Sequence, residues 1–398
     1  MGKGNSTTDN FFAVQKEKSR VKTLIVTEFF KAYFPIINAQ FKQDIWYIDL
    51  FCGPGYYDDG SASTPIKLLD TIDAFKDDAV RNRLKIVFND HNKEYIEKLR
   101  QYVKTHPVYS RLKYQPQIRN LKASEINLSE YTKGNHPIFS FVDPWGYKDV
   151  SVSQVWDLVK NQGSDCVLFF NSDRILQDIS KPSNEEDFRK IFGNLFDDAK
   201  AIQMDSSMSQ RRKAEAFLKL FSQNLYLTVK EEYDNRFKLF VLPFYVEADD
   251  KEKTSHYIVF ISKAHKAIQE MRKAMIKQGN SISAELGYDS KDDMQISLLN
   301  RDDDSSNSII QTIKAIFSKH PQCYDKKYTV AKLSELMDRY EMSTTYKVLP
   351  YSLAEVKSAV ELLHQRGCVK VVLPEGRRVN KLITYDRELY ITRKIEEI

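Results

Sequence analysis

The sequence predicts an α/β protein: a Rossmann-like parallel sheet with an antiparallel edge hairpin, a helical insertion and a C-terminal winged helix. Three observations carry this. Short apolar runs alternate with helical patterns between residues 45 and 171, which is how βαβ units read. The first run breaks into Phe51-Cys52-Gly53-Pro54-Gly55, a glycine turn placed directly after a strand. Residues 309–398 read as three helices followed by two strands.

Residues 1–10 are polar and read as a frayed tail. Residues 11–37 set Val21, Leu24, Ile25, Phe29 and Tyr33 at helical spacing. Lys16, Lys18, Arg20 and Lys22 fall on the polar side, either as a solvated face or as ligand contacts. Residues 45–50 form the first strand, and Asp49 stands near its end, where a carboxylate meets a cation or a hydroxyl. Two glycines flanking a proline make a sharp turn free of side chains, so backbone can come close to a ligand. The spacing Asp-x-Phe-x-Gly-x-Gly lacks the Lys-Ser/Thr pair of a phosphate-cradling P-loop. Residues 60–65 lead into a helix, with Thr64 as the cap and Pro65 at the first helical position.

The second strand, residues 84–88, ends at Asn89-Asp90. Asp90 lies about one βαβ unit after the glycine turn, where it suits a ribose diol or a helix N-cap; the two roles are compatible. Residues 113–120 read as a third strand, with Asn120 and Leu121 near its end. The fourth, residues 137–142, stops at Asp143-Pro144-Trp145-Gly146. An aspartate, a proline and an aromatic ring make a compact acceptor-plus-stacking device at the place of a catalytic loop. The other reading is a strand-ending turn with Trp145 in the core. A helix over residues 152–159 precedes the fifth strand, residues 165–170, which ends in Asn171-Ser172-Asp173-Arg174.

The helical insertion covers about residues 175–230 and puts Phe188, Ile191, Phe192, Leu195 and Phe196 on one apolar side. Residues 237–246 and 256–262 read as the edge hairpin, joined by an acidic turn at 247–252. The first domain is thus expected over residues 1–278, a linker or loop rich in Ser, Asp and Asn over 279–308, and the second domain over 309–398. In that domain helices are expected at 309–319, 330–340 and 353–366, then strands at 369–373 and 380–385. Arg377 and Arg378 fall at the wing tip, which suits phosphate contact; a protein-docking winged helix is the alternative.

The chain has 398 residues, 42% hydrophobic and 29% charged, an ordinary balance for a folded protein of two or three domains. Residues 309–398 hold 16 Lys and Arg against 11 Asp and Glu, an excess equal to the +5 of the whole chain. A local basic excess of this kind suits a nucleic-acid partner. Cys52, Cys166, Cys323 and Cys368 are far apart and form no CxxC, so neither a zinc site nor a disulfide framework is expected. No apolar run approaches the length of a membrane span, and the N-terminus lacks the apolar core of a signal peptide. A cytoplasmic protein with reduced thiols is expected.

Ligands of such sheets bind outside the carboxyl ends of the strands. Asp49 with Gly53 and Gly55, Asp90, and Asp143-Pro144-Trp145 occupy three of those ends, and they are expected to converge on one crevice. DLFCGPG, an acidic second strand end and a D-P-aromatic loop together resemble a class I S-adenosylmethionine-dependent methyltransferase. More closely, the chain resembles the three-Cys-motif partner protein (TcmP) family. The matching pieces are KSRVKTLIVTEFF, YIDLFCGPG, residues 61–69, FVDPWG and the C-terminal winged helix.

The resemblance implies S-adenosylmethionine as cofactor. Backbone at Phe51, Cys52, Gly53 and Gly55 would hold its methionine part and Asp49 its amino end. Asp90 would bind the ribose hydroxyls, and Asn120 and Leu121 would complete the cofactor site. Asp143 and the Pro144 carbonyl match the D/N/S-P-P-Y/F/W loop of enzymes that methylate exocyclic amino groups of bases. There the loop accepts hydrogen bonds from the target amine, and the ring stacks on the base for about 1–3 kcal/mol. In this chain the ring comes one residue early, at Trp145, and Gly146 follows, which widens the pocket. The implied function is base methylation on DNA or RNA, with Lys22, Arg377 and Arg378 as nucleic-acid contacts and no metal. The implied protein partner is one with a three-cysteine motif. The alternative from a different class is a cofactor-binding or partner-docking module without turnover.

Overall fold

The computed structural model describes residues 15–232, 238–246, 256–279, 287–288, 297–324, 326–373 and 382–398. The expected tail (1–10), the acidic hairpin turn (247–252) and the wing tip with Arg377 and Arg378 lie outside these residues. The chain runs α1 (Glu17–Gln40), β1 (Ile45–Asp49), α2 (Thr64–Ala74), α3 (Ala79–Arg83), β2 (Leu84–Asn89) and α4 (Lys93–Thr105). Then come β3 (Gln117–Arg119), α5 (Ser129–Thr132), β4 (Ile138–Val142), α6 (Val152–Val159) and β5 (Asp165–Phe170). The insertion is α7 (Ser172–Asp178), α8 (Glu185–Phe192), α9 (Phe196–Met204) and α10 (Gln210–Glu232). β6 (Phe240–Val246), β7 (His256–Ser262), α11 (His265–Gln278) and β8 (Gly287–Tyr288) complete the sheet unit.

The eight strands are ordered β3-β2-β1-β4-β5-β7-β6-β8. The first five are parallel; β7 is antiparallel to both β5 and β6, and β8 runs parallel to β6. The hairpin thus enters with its later strand inward and lies one strand inside the edge. β1, β4, β5 and β7 are buried at every position, as strands covered on both faces must be. Asp49 is in register with Phe88 of β2 and Phe141 of β4, so the carboxyl ends of these three strands are level.

One face of the sheet is closed by α1. Phe29 meets Phe139 at 5.2 Å and Phe260 at 4.8 Å between ring centres, so one helix residue spans β4 and β7. α2 starts one residue earlier than its cap signal indicated: Ser63 is the N-cap, and Thr64 bonds Thr23 of α1 through their hydroxyls at 2.9 Å. α4 is capped by Asn92, whose side chain accepts from the Glu94 and Tyr95 amides. The insertion packs its aromatic side inward, with Tyr147 stacked on Phe188 at 4.1 Å.

The second unit holds α12 (Ser297–Lys319), α13 (Val330–Thr344), α14 (Leu353–Gln365) and the antiparallel pair β9 (Val369–Val371) and β10 (Leu389–Ile391). Tyr328 bridges to Leu389, which gives the helix–helix–helix–hairpin order of a winged helix. Two boundaries differ from expectation. Residues 297–308, read as linker or loop, are helical, because the polar half of α12 is carried by the Ile309, Ile310, Ile313, Ile316 and Phe317 stripe that follows. The described second strand of the pair is Leu389–Ile391; of the expected 380–385, residues 382–385 are not strand and 380–381 lie outside the described residues. Burying Leu389 and Ile391 with Val369 outweighs the β-propensity of Ile383 to Tyr385.

The two units touch through a polar weld. Arg272 of α11 donates to both oxygens of Asp338 of α13 at 2.7 and 2.8 Å, and His265 lies 2.8 Å from the same carboxylate. The Val348 amide donates to the Val241 carbonyl of β6 at 2.8 Å. All four cysteines are buried and unbridged. Among the described residues no helix is long and apolar enough to cross a membrane.

Candidate active site

β1 delivers Asp49 to the middle of the carboxyl edge, fully buried. Its Oδ1 accepts from the Phe51 amide at 3.1 Å; its Oδ2 is buried with no hydrogen-bond partner among the described residues. Burial pushes this carboxyl well above the ordinary range, and the neighbouring Asp143 and Asp90 carboxylates add to the rise. An unpaired buried acceptor costs about 1–3 kcal/mol, and among the described residues no donor meets this oxygen.

The turn after Asp49 needs its glycines. Gly53 and Gly55 have φ of 65° and 95°, and a Cβ on Gly55 would stand 3.0 Å from Leu99 Cδ1. The Gly55 carbonyl accepts from the amide and hydroxyl of Ser63 at 2.8 and 2.9 Å, which ties the turn to the start of α2. Asp90 Oδ2 accepts from the Gly53 amide at 3.0 Å and Oδ1 from the Asn92 amide at 2.8 Å. Asp90 therefore braces the glycine turn. It does not itself cap α4, since Asn92 takes that position.

Asn89 Nδ2 donates to the Leu50 and Leu121 carbonyls at 3.0 Å, and Asn120 Nδ2 donates to the Asp90 and His91 carbonyls at 2.9 Å. Asn120 and Leu121 thereby fasten the end of β3 to the end of β2, and the Leu121 side chain is 40% exposed beside them.

β4 delivers the second half. Asp143 Oδ2 lies 2.5 Å from Lys22 Nζ, and that ammonium sits 3.9 Å from the centre of the Phe169 ring. Lys22 is buried and paired with Asp143, so it is not a solvated residue of α1. The burial follows from α1 crossing the carboxyl ends of β4 and β5. Trp145 is 41% exposed, which removes the reading of a core tryptophan, and its carbonyl accepts from Asn171 Nδ2 at 3.3 Å.

A cavity of about 430 Å³ lies between these halves. Its walls include Lys22, Asp49, Phe51, Cys52, Gly53, Asp143, Pro144 and Trp145. Gly55, Asp90, Asn120, Leu121 and Gly146 are not in its lining; the first four support the turn and strand ends, and Gly146 faces Arg174. The walls also include Tyr57, Asp173, Arg174 and His256, to which sequence reasoning gave no role. Asp173 and Arg174 were visible as a polar exit from the fifth strand. His256, 3.4 Å from Asp173, had no local signal, because pairing of β7 against β5 brings it there.

The reversed β7 between β5 and β6, in an otherwise parallel sheet ordered around β1, decides the fold. It is a class I methyltransferase fold. No protein-family model matches the chain, and no curated protein does. Solved structures similar to it include a SAM-dependent methyltransferase from Methanosarcina mazei, at 13% identity over 58% of this chain and 97% of that one, with a TM-score of 0.29. The plantazolicin methyltransferase BpumL in complex with SAH is similar at 10% identity over 62% and 86%, with a TM-score of 0.33. A putative rRNA methylase from Clostridium thermocellum is similar at 10% identity over 59% and 96%, with a TM-score of 0.28. At these values the fold assignment rests on the strand order.

Proposed function

We propose that this protein transfers a methyl group from S-adenosylmethionine to an exocyclic amino group of a nucleic-acid base. The observation that carries this reading is the shared cavity: Asp49, with an unsatisfied buried oxygen, and Asp143 face it from adjacent strand ends. The residues fit the cofactor. An amino group is the donor that Asp49 Oδ2 lacks, and the glycine turn leaves room beside it. When bound, the cofactor supplies an electrophilic methyl group on a sulfonium. Asp143 accepts a hydrogen bond from the acceptor nitrogen and aligns its lone pair, and the half-exposed Trp145 ring offers a stacking face. Asp90 acts on the cofactor by holding Gly53, and Asn120 and Leu121 by setting the rim of the nucleoside end.

The basic excess of residues 309–398 and their winged-helix order support a nucleic-acid partner, DNA or RNA. Membership of the three-Cys-motif partner family, with a partner bearing that motif, belongs to the same proposal, as does the division into domains at 278 and 309. A second reading, a module that binds cofactor or protein without turnover, draws on the Lys22 ammonium, which already occupies Asp143 Oδ2.

Calorimetry with S-adenosylhomocysteine, followed by tritiated-methyl transfer to DNA, RNA and cell lysate, separates the two. Label on base nitrogen supports the first reading. Cofactor binding with no label on any acceptor supports the second, and absence of cofactor binding overturns the first and leaves the second only its protein-docking form.

A further inference from the structure

A second cavity is larger than the cleft. It measures about 710 Å³, within the range of small-molecule pockets, and lies at the amino end of β5, the opposite edge of the sheet. Its body is apolar: Phe29, Tyr33, Ile36, Ile37, Phe41 and Trp156. Four lysines stand in its lining, and three already have an acid: Lys160 with Asp157 at 2.5 Å, Lys238 with Glu335 at 2.5 Å, and Lys266 with Glu270 at 3.8 Å.

Lys263 differs from these three. It is half-buried, its Nζ donates to the Lys160 carbonyl, and among the described residues its ammonium makes no ion pair. Burial lowers its pKa against the opposing pull of the Asp165 carboxylate, the sign of a cation short of water. Asp165 shares the wall but is a poor counter-ion. Burial pushes its carboxyl up to about 7, against the pull of Ser262 and Lys263.

We propose that this cavity binds an amphipathic organic carboxylate, its apolar body against Phe29, Ile37, Phe41 and Trp156 and its head paired with Lys263. The charge complementarity selects the head group: a half-buried cation that makes no ion pair among the described residues, in the lining of an apolar cavity, favours an anion over a neutral lipid. The site is independent of methyl transfer and shares no lining residue with the cleft.

Decanoate and its uncharged methyl ester, titrated calorimetrically into the full chain, test it. One decanoate is expected to bind per chain, at least tenfold tighter than the ester. Lys263→Met is expected to weaken decanoate at least tenfold and leave the ester unchanged. Ile37→Trp, which fills the cavity, is expected to abolish binding of both, with circular dichroism confirming its fold. If Ile37→Trp fails to fold, Lys263→Met decides alone. No saturable binding, equal affinity for acid and ester, or decanoate binding indifferent to Lys263→Met overturns the proposal.

Discussion

Asp338 and Asp49 are both buried aspartates, one at the junction of the two units and one in the cleft, and their surroundings are opposite. Asp338 accepts from Arg272, from the Leu349 amide at 3.1 Å, and meets His265. Burial raises its pKa, but the Arg272 charge and the His265 and Arg272 hydrogen bonds outweigh it, so the carboxyl lies below the ordinary range. Asp49 has one amide bond and an oxygen with none, and lies well above that range. At the junction both oxygens of the carboxylate are met, although Arg272 Nη1 beside it has no hydrogen-bond partner among the described residues. The cleft is unfinished, and a ligand would complete it.

The largest effect expected is at the junction. Arg272→Met leaves Asp338 buried without its counter-charge and should cost about 3–5 kcal/mol in urea unfolding, with His265 offsetting part. A loss under about 1 kcal/mol would mean that the junction is not the tie it looks. The two carboxylates also carry opposite pH signatures. A depressed carboxyl stabilises above the ordinary aspartate pKa of about 3.9 and loses that stabilisation as pH falls through its lower folded value. A raised one stabilises below about 3.9 and loses it as pH rises through its folded value. Asp338→Asn should therefore flatten the acid limb of a stability profile, and Asp49→Asn the decline above about pH 4; the reverse pattern would undo the contrast.

Next in size is Asp143→Ala, expected to lower methyl transfer by about 100-fold or more while S-adenosylhomocysteine affinity stays within about threefold. Equal losses in both would move Asp143 to the cofactor side. Asp49→Asn removes a charge-assisted bond of about 1.5–3 kcal/mol and should weaken the cofactor by about 10- to 100-fold, with stability unchanged or higher. A stability loss instead would show that Asp49 serves the fold, as Asp338 does. The smallest is Trp145→Ala, with loss of about 1–3 kcal/mol of acceptor stacking, read as a higher KM for a nucleic-acid substrate at constant cofactor affinity. An unchanged KM would remove Trp145 from the acceptor site.

Strand ends were legible because each breaks on residues with strong local preferences: Gly53 and Gly55 at positive φ, and Asp143-Pro144 after β4. The cleft residues on those exits were found for the same reason. The burial of Lys22 against Asp143 and the presence of His256 in the cleft had no signal in the sequence, since α1 and β7 reach the cleft only through packing on β4 and β5. Spacing set Asp90 after β2, but its bond to the Gly53 amide was not legible, because sequence spacing does not show which way a carboxylate turns.

Taken alone, the sequence determined the parallel sheet, its turns and the order of elements, since hydrophobic period and turn chemistry act over a few residues. Tertiary structure decided which charges are buried and with whom. It sent Lys22 to Asp143, Arg272 to Asp338, and left Asp49 Oδ2 without a hydrogen-bond partner and Lys263 without an ion pair among the described residues. Those pairings join residues far apart along the chain, and removal from water sets their energies, a condition no local pattern records.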